Sequence, residues 1–206
     1  IKMEFQVKVF QDYVPNAAVT LLSKYIKHWK VNLIIKQRRI TKHGDFKLFS
    51  EGLHQISVNN SENPYRFLIT VIHEIAHLVA FKEFGYSIKP HGKEWKRCYQ
   101  KLMGPFLRPE IFPQDLLNLL KNHFKNPKAS SDSDFNLVVE LNKFDPKTEK
   151  NYIFELDFGA VFEIHNGKKF ILGSKRKKRF ECEEISTQRK YLFSPHARVK
   201  KLVRNG

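Results

Sequence analysis

The sequence predicts an α+β protein in two parts: a helical domain with a short N-terminal β-sheet, then a small C-terminal β domain. Three observations predict it. Apolar residues recur at helical spacing in several segments before residue 126. Short apolar runs between turn residues dominate after residue 150. Between them lies Pro127-Lys128-Ala129-Ser130-Ser131-Asp132-Ser133-Asp134, polar and rich in breakers. The expected boundaries are 1–126 for the helical domain, 127–150 for a linker and 151–206 for the β domain. With 41% hydrophobic residues and 18 Phe in 206 residues, a packed core is expected and wholesale disorder is not.

Pro15-Asn16 opens the first helix, with Val19, Leu22, Ile26 and Trp29 on one stripe. Val31–Ile35 reads as a strand, His43-Gly44-Asp45 as a turn, Phe46–Phe49 as a short strand and His54–Val58 as a third. After the polar loop Asn59–Asn63, Pro64 suits the first position of a helix, where its missing N–H has no partner to lose. Gly85 ends that helix, and a loop through Pro90 leads to a helix from about Gly92 to Met103. Another helix starts at Pro113-Gln114 and runs to near Phe124. Leu137–Phe144 fits either helix or strand. Strands are expected at Tyr152–Phe154, Ala160–Ile164, Lys169–Leu172, Arg179–Cys182 and Lys190–Phe193, with Asn166-Gly167 as a hairpin turn. No solenoid-type repeat is present.

The formal net charge is +16, and the segment from Lys168 onward supplies ten of it, with thirteen Lys/Arg against three acids. Such a field attracts polyanions, phosphate backbones above all, although a solvated basic face has the same composition. Cys98 and Cys182 are far apart and in no CxxC pair, so neither a disulfide framework nor a cysteine metal site is expected. That cysteine usage suits a reducing compartment and predicts a cytoplasmic protein. No stretch reaches transmembrane length. The first residues form no secretory h-region, and the opening Ile1-Lys2 leaves open what precedes them.

Within the apolar run from Phe67 to Phe81 stands His73-Glu74-Ile75-Ala76-His77. Residues four apart share a helix face, so both imidazoles can aim at one ion, with Glu74 beside it. Two histidines and a glutamate are costly in a buried helix unless something satisfies them, and a metal ion does. This is what a zinc peptidase needs: two nitrogen ligands, a carboxylate general base and a position left for water. Three residues downstream compete to be the third ligand. Glu83 rotates off the His73/His77 face if the helix continues through Ala80. Glu94 would suit a site completed by a carboxylate and stays open. His91 is preferred: it follows a loop of sensible length, and Gly92 would let the backbone crowd the metal. Glu94 then becomes a partner behind the ligands, and Trp95 a core anchor. Tyr86 is expected to pack rather than act.

Phe67–His77 followed by Pro90-His91-Gly92-Lys93-Glu94-Trp95 resembles the SprT-like family of zinc metallopeptidase domains, relatives of the Spartan protease. Thr41–Phe46 and Ile56–Asn59 resemble its N-terminal half, and the likeness covers roughly Ala17 to Met103. The resemblance implies a zincin-like fold, zinc at His73, His77 and His91, and Glu74 as the general base. For Spartan-type members it implies cleavage of proteins attached to DNA. Many relatives carry a C-terminal zinc ribbon with paired cysteines; here Cys182 stands alone.

Without that ribbon, any DNA contact must come from the basic β segment. The candidate is Lys175-Arg176-Lys177-Lys178-Arg179, near Phe170, Phe180, Tyr191 and Phe193. The leading expectation is a zinc-dependent metalloendopeptidase of SprT-like type acting on DNA-associated proteins. The alternative is a non-enzymatic nucleic-acid-associated binding module with a structural metal. A protease that is latent until it meets a ligand has the same sequence signature.

Overall fold

The computed structural model describes residues 10–37, 39, 42–48, 54–130, 133–147 and 149–202. Among the expectations above, Ile1, Lys2, Thr41, Phe49, Ser131 and Asp132 lie outside the described residues. The chain divides into two compact units, Ile1–Pro146 and Lys147–Gly206. The architecture is α+β, with five α-helices and two sheets among the described residues.

In the first unit, α1 (Asn16–His28) buries Ala18, Leu22 and Ile26 on the face set by their helical spacing. The three-stranded sheet has the order β1 (Val31–Lys36), β3 (His54–Asn59), β2 (Gly44–Leu48). β1 runs parallel to β3 with Val31 opposite His54, and β2 runs antiparallel to it with Phe46 opposite Ile56. The expected turn at His43-Gly44-Asp45 is therefore corrected: Gly44 and Asp45 are strand residues paired with Val58 and Ser57. Asn59 explains the early start. Its Nδ2 donates to the carbonyls of Arg39 and Lys42, and its backbone N–H donates to His43, which pins the incoming chain to β3.

α2 (Pro64–Phe84) is the spine of this unit. Phe67, Leu68, Val71, Ile72, Ile75 and Leu78 are almost fully buried, each worth about 1.5–3 kcal/mol relative to exposure. α3 (Lys93–Met103) and α4 (Gln114–His123) complete the same core through Trp95, Met103, Leu116 and Leu120.

The undecided segment after Leu137 is helix α5 (Phe135–Asn142), capped by Asp134, whose side chain accepts from Leu137 N–H. Leu137 and Leu141 join the first core, so the expected linker over 127–150 is also corrected. Leu137, Val138 and Leu141 have helical spacing, and burying them outweighs the polar lead-in.

The second unit is a six-stranded antiparallel sheet of order β4-β9-β5-β6-β7-β8. Its strands are β4 (Asn151–Tyr152), β5 (Val161–Glu163), β6 (Lys169–Arg176), β7 (Arg179–Glu184), β8 (Lys190–Phe193) and β9 (Arg198–Leu202). Ile153, Phe162, Phe170, Leu172, Cys182 and Val199 fill its core. The expected strand through Phe154 shortens, because Ile153–Glu155 turn into a 3-10 helix. β9 was not expected: only Val199 of its five residues is buried, and its lysines hide the alternation. No helix among the described residues is long and apolar enough to cross a membrane.

Asn63 ties the start of α2 to the end of α5. Its Oδ1 accepts from the backbone N–H groups of Tyr65 and Arg66, both at 3.1 Å, and its Nδ2 donates to Leu141 O at 2.8 Å and Asp145 at 2.7 Å. Asn63→Ala removes a helix cap and strands buried polar groups. It should lower stability by about 2–3 kcal/mol in urea unfolding. A loss below about 0.5 kcal/mol would show that water replaces these bonds at little cost.

Candidate metal centre

His73 and His77 lie one turn apart on α2, on the flank facing α3 and the loop before it. That loop begins where Gly85, at φ +76°, stops α2. It returns through Pro90 to His91, itself at φ +58°. A left-handed conformation costs a non-glycine residue about 1–2 kcal/mol, so His91 is held where its own backbone preference would not place it. Gly92 serves this turn. A β-carbon on it would stand 2.8 Å from Lys89 O. Its missing side chain therefore admits the tight Lys89–Gly92 turn, rather than an approach to the metal.

The three Nε2 atoms converge: 3.1 Å between His77 and His73, 3.0 Å between His77 and His91, and 3.3 Å between His91 and His73. Hydrogen bonding cannot satisfy this triangle. Each neutral ring nitrogen is either donor or acceptor, so among three at least two are alike and one contact must repel. A cation removes the conflict, since all three can present lone pairs to it. Nitrogens about 2.0–2.1 Å from a tetrahedral zinc sit about 3.3 Å apart, close to the spacing found. Burial, with the neighbouring imidazoles, lowers His73 to about 3 and His77 to about 4, and burial lowers His91 as well. Neutral imidazole is the ligating form. No fourth His, Cys, Asp or Glu joins the cluster among the described residues.

Glu94 does not join it, and Glu83 turns instead toward α3, 3.8 Å from Cys98 Sγ. Trp95 is fully buried, with its ring 4.7 Å from His73, 5.3 Å from His77 and 4.7 Å from His91. It packs against all three imidazoles and, with Tyr99 at 4.8 Å, limits their rotation.

Glu74 is only 6% exposed. Burial, then the charge of Asp45, pushes its carboxyl up to about 8. A dication on the adjacent imidazoles would draw it back down. Gly44 fixes where this carboxylate sits: a β-carbon there would stand 2.7 Å from Glu74 Oε1. The bare backbone of β2 is thus a wall against the Glu74 side chain. Asp45 accepts from Arg39 and from Ser57 Oγ, locking β2 to β3. Sequence reading missed Gly44 in this role, because contact between residues thirty apart leaves no periodic trace. Glu74, His77 and His91 open into a cleft shared with β2 and the 85–90 loop.

The basic run occupies the tip of the β6–β7 hairpin in the second unit. Lys177 takes φ +52° at the turn. Arg176 pairs with Glu181 at 2.8 Å, and Lys175 lies over the Phe180 ring at 5.9 Å. Lys177, Lys178 and Arg179 have no acidic partner among the described residues. Phe170 and Phe180 are core, whereas Tyr191 is 38% exposed.

Fold and site together define an α+β domain organised around one long helix and equipped to hold a metal ion. The profile of the SprT-like family matches residues 22–114, which contain all three imidazoles and Glu74. Protein SprT of Enterobacter sp. is 38% identical over 93 residues, 44% of this chain and 54% of that protein. Protein SprT of Cronobacter sakazakii is 37% identical over 84 residues, 40% of this chain and 50% of that protein. Protein SprT of Salmonella arizonae is 33% identical over 103 residues, 49% and 61% of the two chains. The chain spans about half the length of the curated relatives it matches. No solved structure matches. Residues 22–114 are thus similar to the SprT-like family, and the likeness lies within the first unit.

After zinc loading and dialysis, His73→Ala should keep well below half of the metal that the unmodified protein keeps, and its melting temperature should rise less on loading. Full zinc retention by this variant would remove His73 from the centre.

Proposed function

We propose that the chain is a zinc-dependent endopeptidase of SprT-like type, with a zincin-like first unit, and that it acts on proteins associated with DNA. The observation that carries the reading is a buried carboxylate, Glu74, opening into the same cleft as His77 and His91, with no fourth ligand gathered among the described residues. His73, His77 and His91 would hold the ion. When bound, it supplies Lewis acidity, polarising a peptide carbonyl and acidifying a water.

The protein's own groups do the rest. Glu74 takes the proton of the attacking water and returns a proton to the leaving amine. The wall at Gly44 keeps its carboxylate from swinging away. Trp95 holds the imidazoles in place and, being fully buried against them, keeps solvent from that side. A closed structural metal site, as in a binding module, needs a fourth side chain and no cleft; the three-imidazole cluster favours the enzyme.

Glu74→Gln should keep one zinc and lose about 100-fold or more of casein digestion, since an amide cannot accept the proton. Gly44→Ala should also keep zinc and lose activity, because its methyl group collides with the carboxylate. Wild-type rates in Glu74→Gln would refute the assignment of the base.

DNA association is proposed from charge. Lys177, Lys178 and Arg179 at the hairpin tip, without an acidic partner among the described residues, give a phosphate-binding point, and the exposed Tyr191 offers a stacking surface. With single- and double-stranded DNA, binding should weaken steeply with salt. Lys177→Ala/Lys178→Ala should flatten the log–log salt slope by about 1–2. Binding indifferent to salt would exclude phosphate contacts as its source. Digestion with and without DNA then tests whether the two properties are linked.

A further inference from the structure

We infer that the cleft beside the three imidazoles is a specificity pocket for one large apolar side chain, aromatic or long aliphatic, flanking the bond to be cut. This rests on the peptidase reading and adds what that site selects. The cleft has a volume of about 430 Å³ and ends at Glu74, His77 and His91. Its other walls are Phe46 and Leu48 from β2, Phe81 from α2, and Tyr86 and Ile88 from the loop that leads to His91. Apart from Glu74 and the histidines, Lys89 is the one side chain of the lining that carries a charge at neutral pH among the described residues. A side chain placed there is next to the reacting carbonyl, because the same cavity holds the base and two of the imidazoles.

The local chain builds this wall deliberately. Gly85 at φ +76° reverses the backbone, so that Tyr86 folds back edge-on against Phe81, with centroids 4.3 Å apart. Phe46 also approaches Phe81, with ring centroids 6.5 Å apart. Tyr86 is nonetheless 83% exposed and is no part of the core. A large ring standing in solvent at the mouth of an apolar cleft is surface that a bound side chain would cover. Aromatic or long aliphatic groups gain from that burial. An acidic or basic group would lose hydration against Phe46, Leu48 and Phe81, with Lys89 alone to offset the loss for an acid. The discrimination expected from a pocket of this kind is about 10–100-fold in kcat/KM.

The test uses the full chain loaded with zinc. Digestion of a mixed peptide library, with cleaved bonds mapped by mass spectrometry, should show Phe, Tyr, Trp, Leu or Met enriched at one position adjoining the cut. Matched peptides with Phe or Asp at that position should differ by about 10–100-fold in kcat/KM. Calorimetric binding of the same peptides to the Glu74→Gln variant should follow the same order without turnover. Tyr86→Asp, at an exposed position, should retain zinc and shrink the Phe-to-Asp ratio at least about fivefold. Cleavage with no preference at either flanking position, or with a charged residue preferred, overturns the pocket while leaving the peptidase intact. A zinc-loaded wild type that cuts nothing in the library defeats the peptidase reading, and the pocket with it.

Discussion

Three imidazole nitrogens held about 3 Å apart in a largely buried place are the constraint on which the rest of the structure turns. Neutral rings cannot resolve that triangle among themselves, and protonated rings would repel more strongly. The surrounding structure nevertheless over-determines it. α2 is buried on nearly all sides and fixes two of the rings. The third comes from a residue with a left-handed backbone, steadied by a turn that only a glycine at 92 admits. Trp95 packs against all three. An arrangement that is unfavourable by itself, and so firmly held, is what a preorganised cation site looks like.

The same logic reaches Glu74. A carboxylate only 6% exposed is costly, yet β2 approaches so closely that a β-carbon at 44 would stand 2.7 Å from its Oε1. The ties among Arg39, Asp45, Ser57 and Asn59 hold that strand in place. The small sheet thus does two jobs: it covers one side of α2 and sets the position of the carboxylate. Its outermost strand then continues through Phe46 and Leu48 into the wall of the cleft. The three imidazoles, Glu74 and the cleft are therefore successive stretches of one surface.

Local signals made much of this legible in the sequence. The helical spacing of Phe67, Val71, Ile75 and Leu78, with Pro64 before and Gly85 after, marks α2 within a residue or two. The four-residue interval between His73 and His77 marks their shared face. Downstream, three candidates compete for one place, and only distance separates His91, which lies with the pair, from Glu83 and Glu94, which do not. Non-local facts stayed hidden. Gly44 looks like a turn because the β-carbon it lacks would meet a residue thirty positions away. The breaker-rich run at 127–134 suggested a linker, although Leu137 and Leu141 just beyond it belong to the first core. The lysines of β9 concealed a strand recognised only by its pairing between β4 and β5.

The most direct test of the central claim is X-ray absorption at the zinc edge of the metal-loaded protein. Three imidazoles and one or two light oxygen donors at about 2.0–2.1 Å, with the outer scattering of three histidine rings, is the expected spectrum. A sulfur shell near about 2.3 Å, or a spectrum with only water-like oxygens and no histidine scattering, would contradict it.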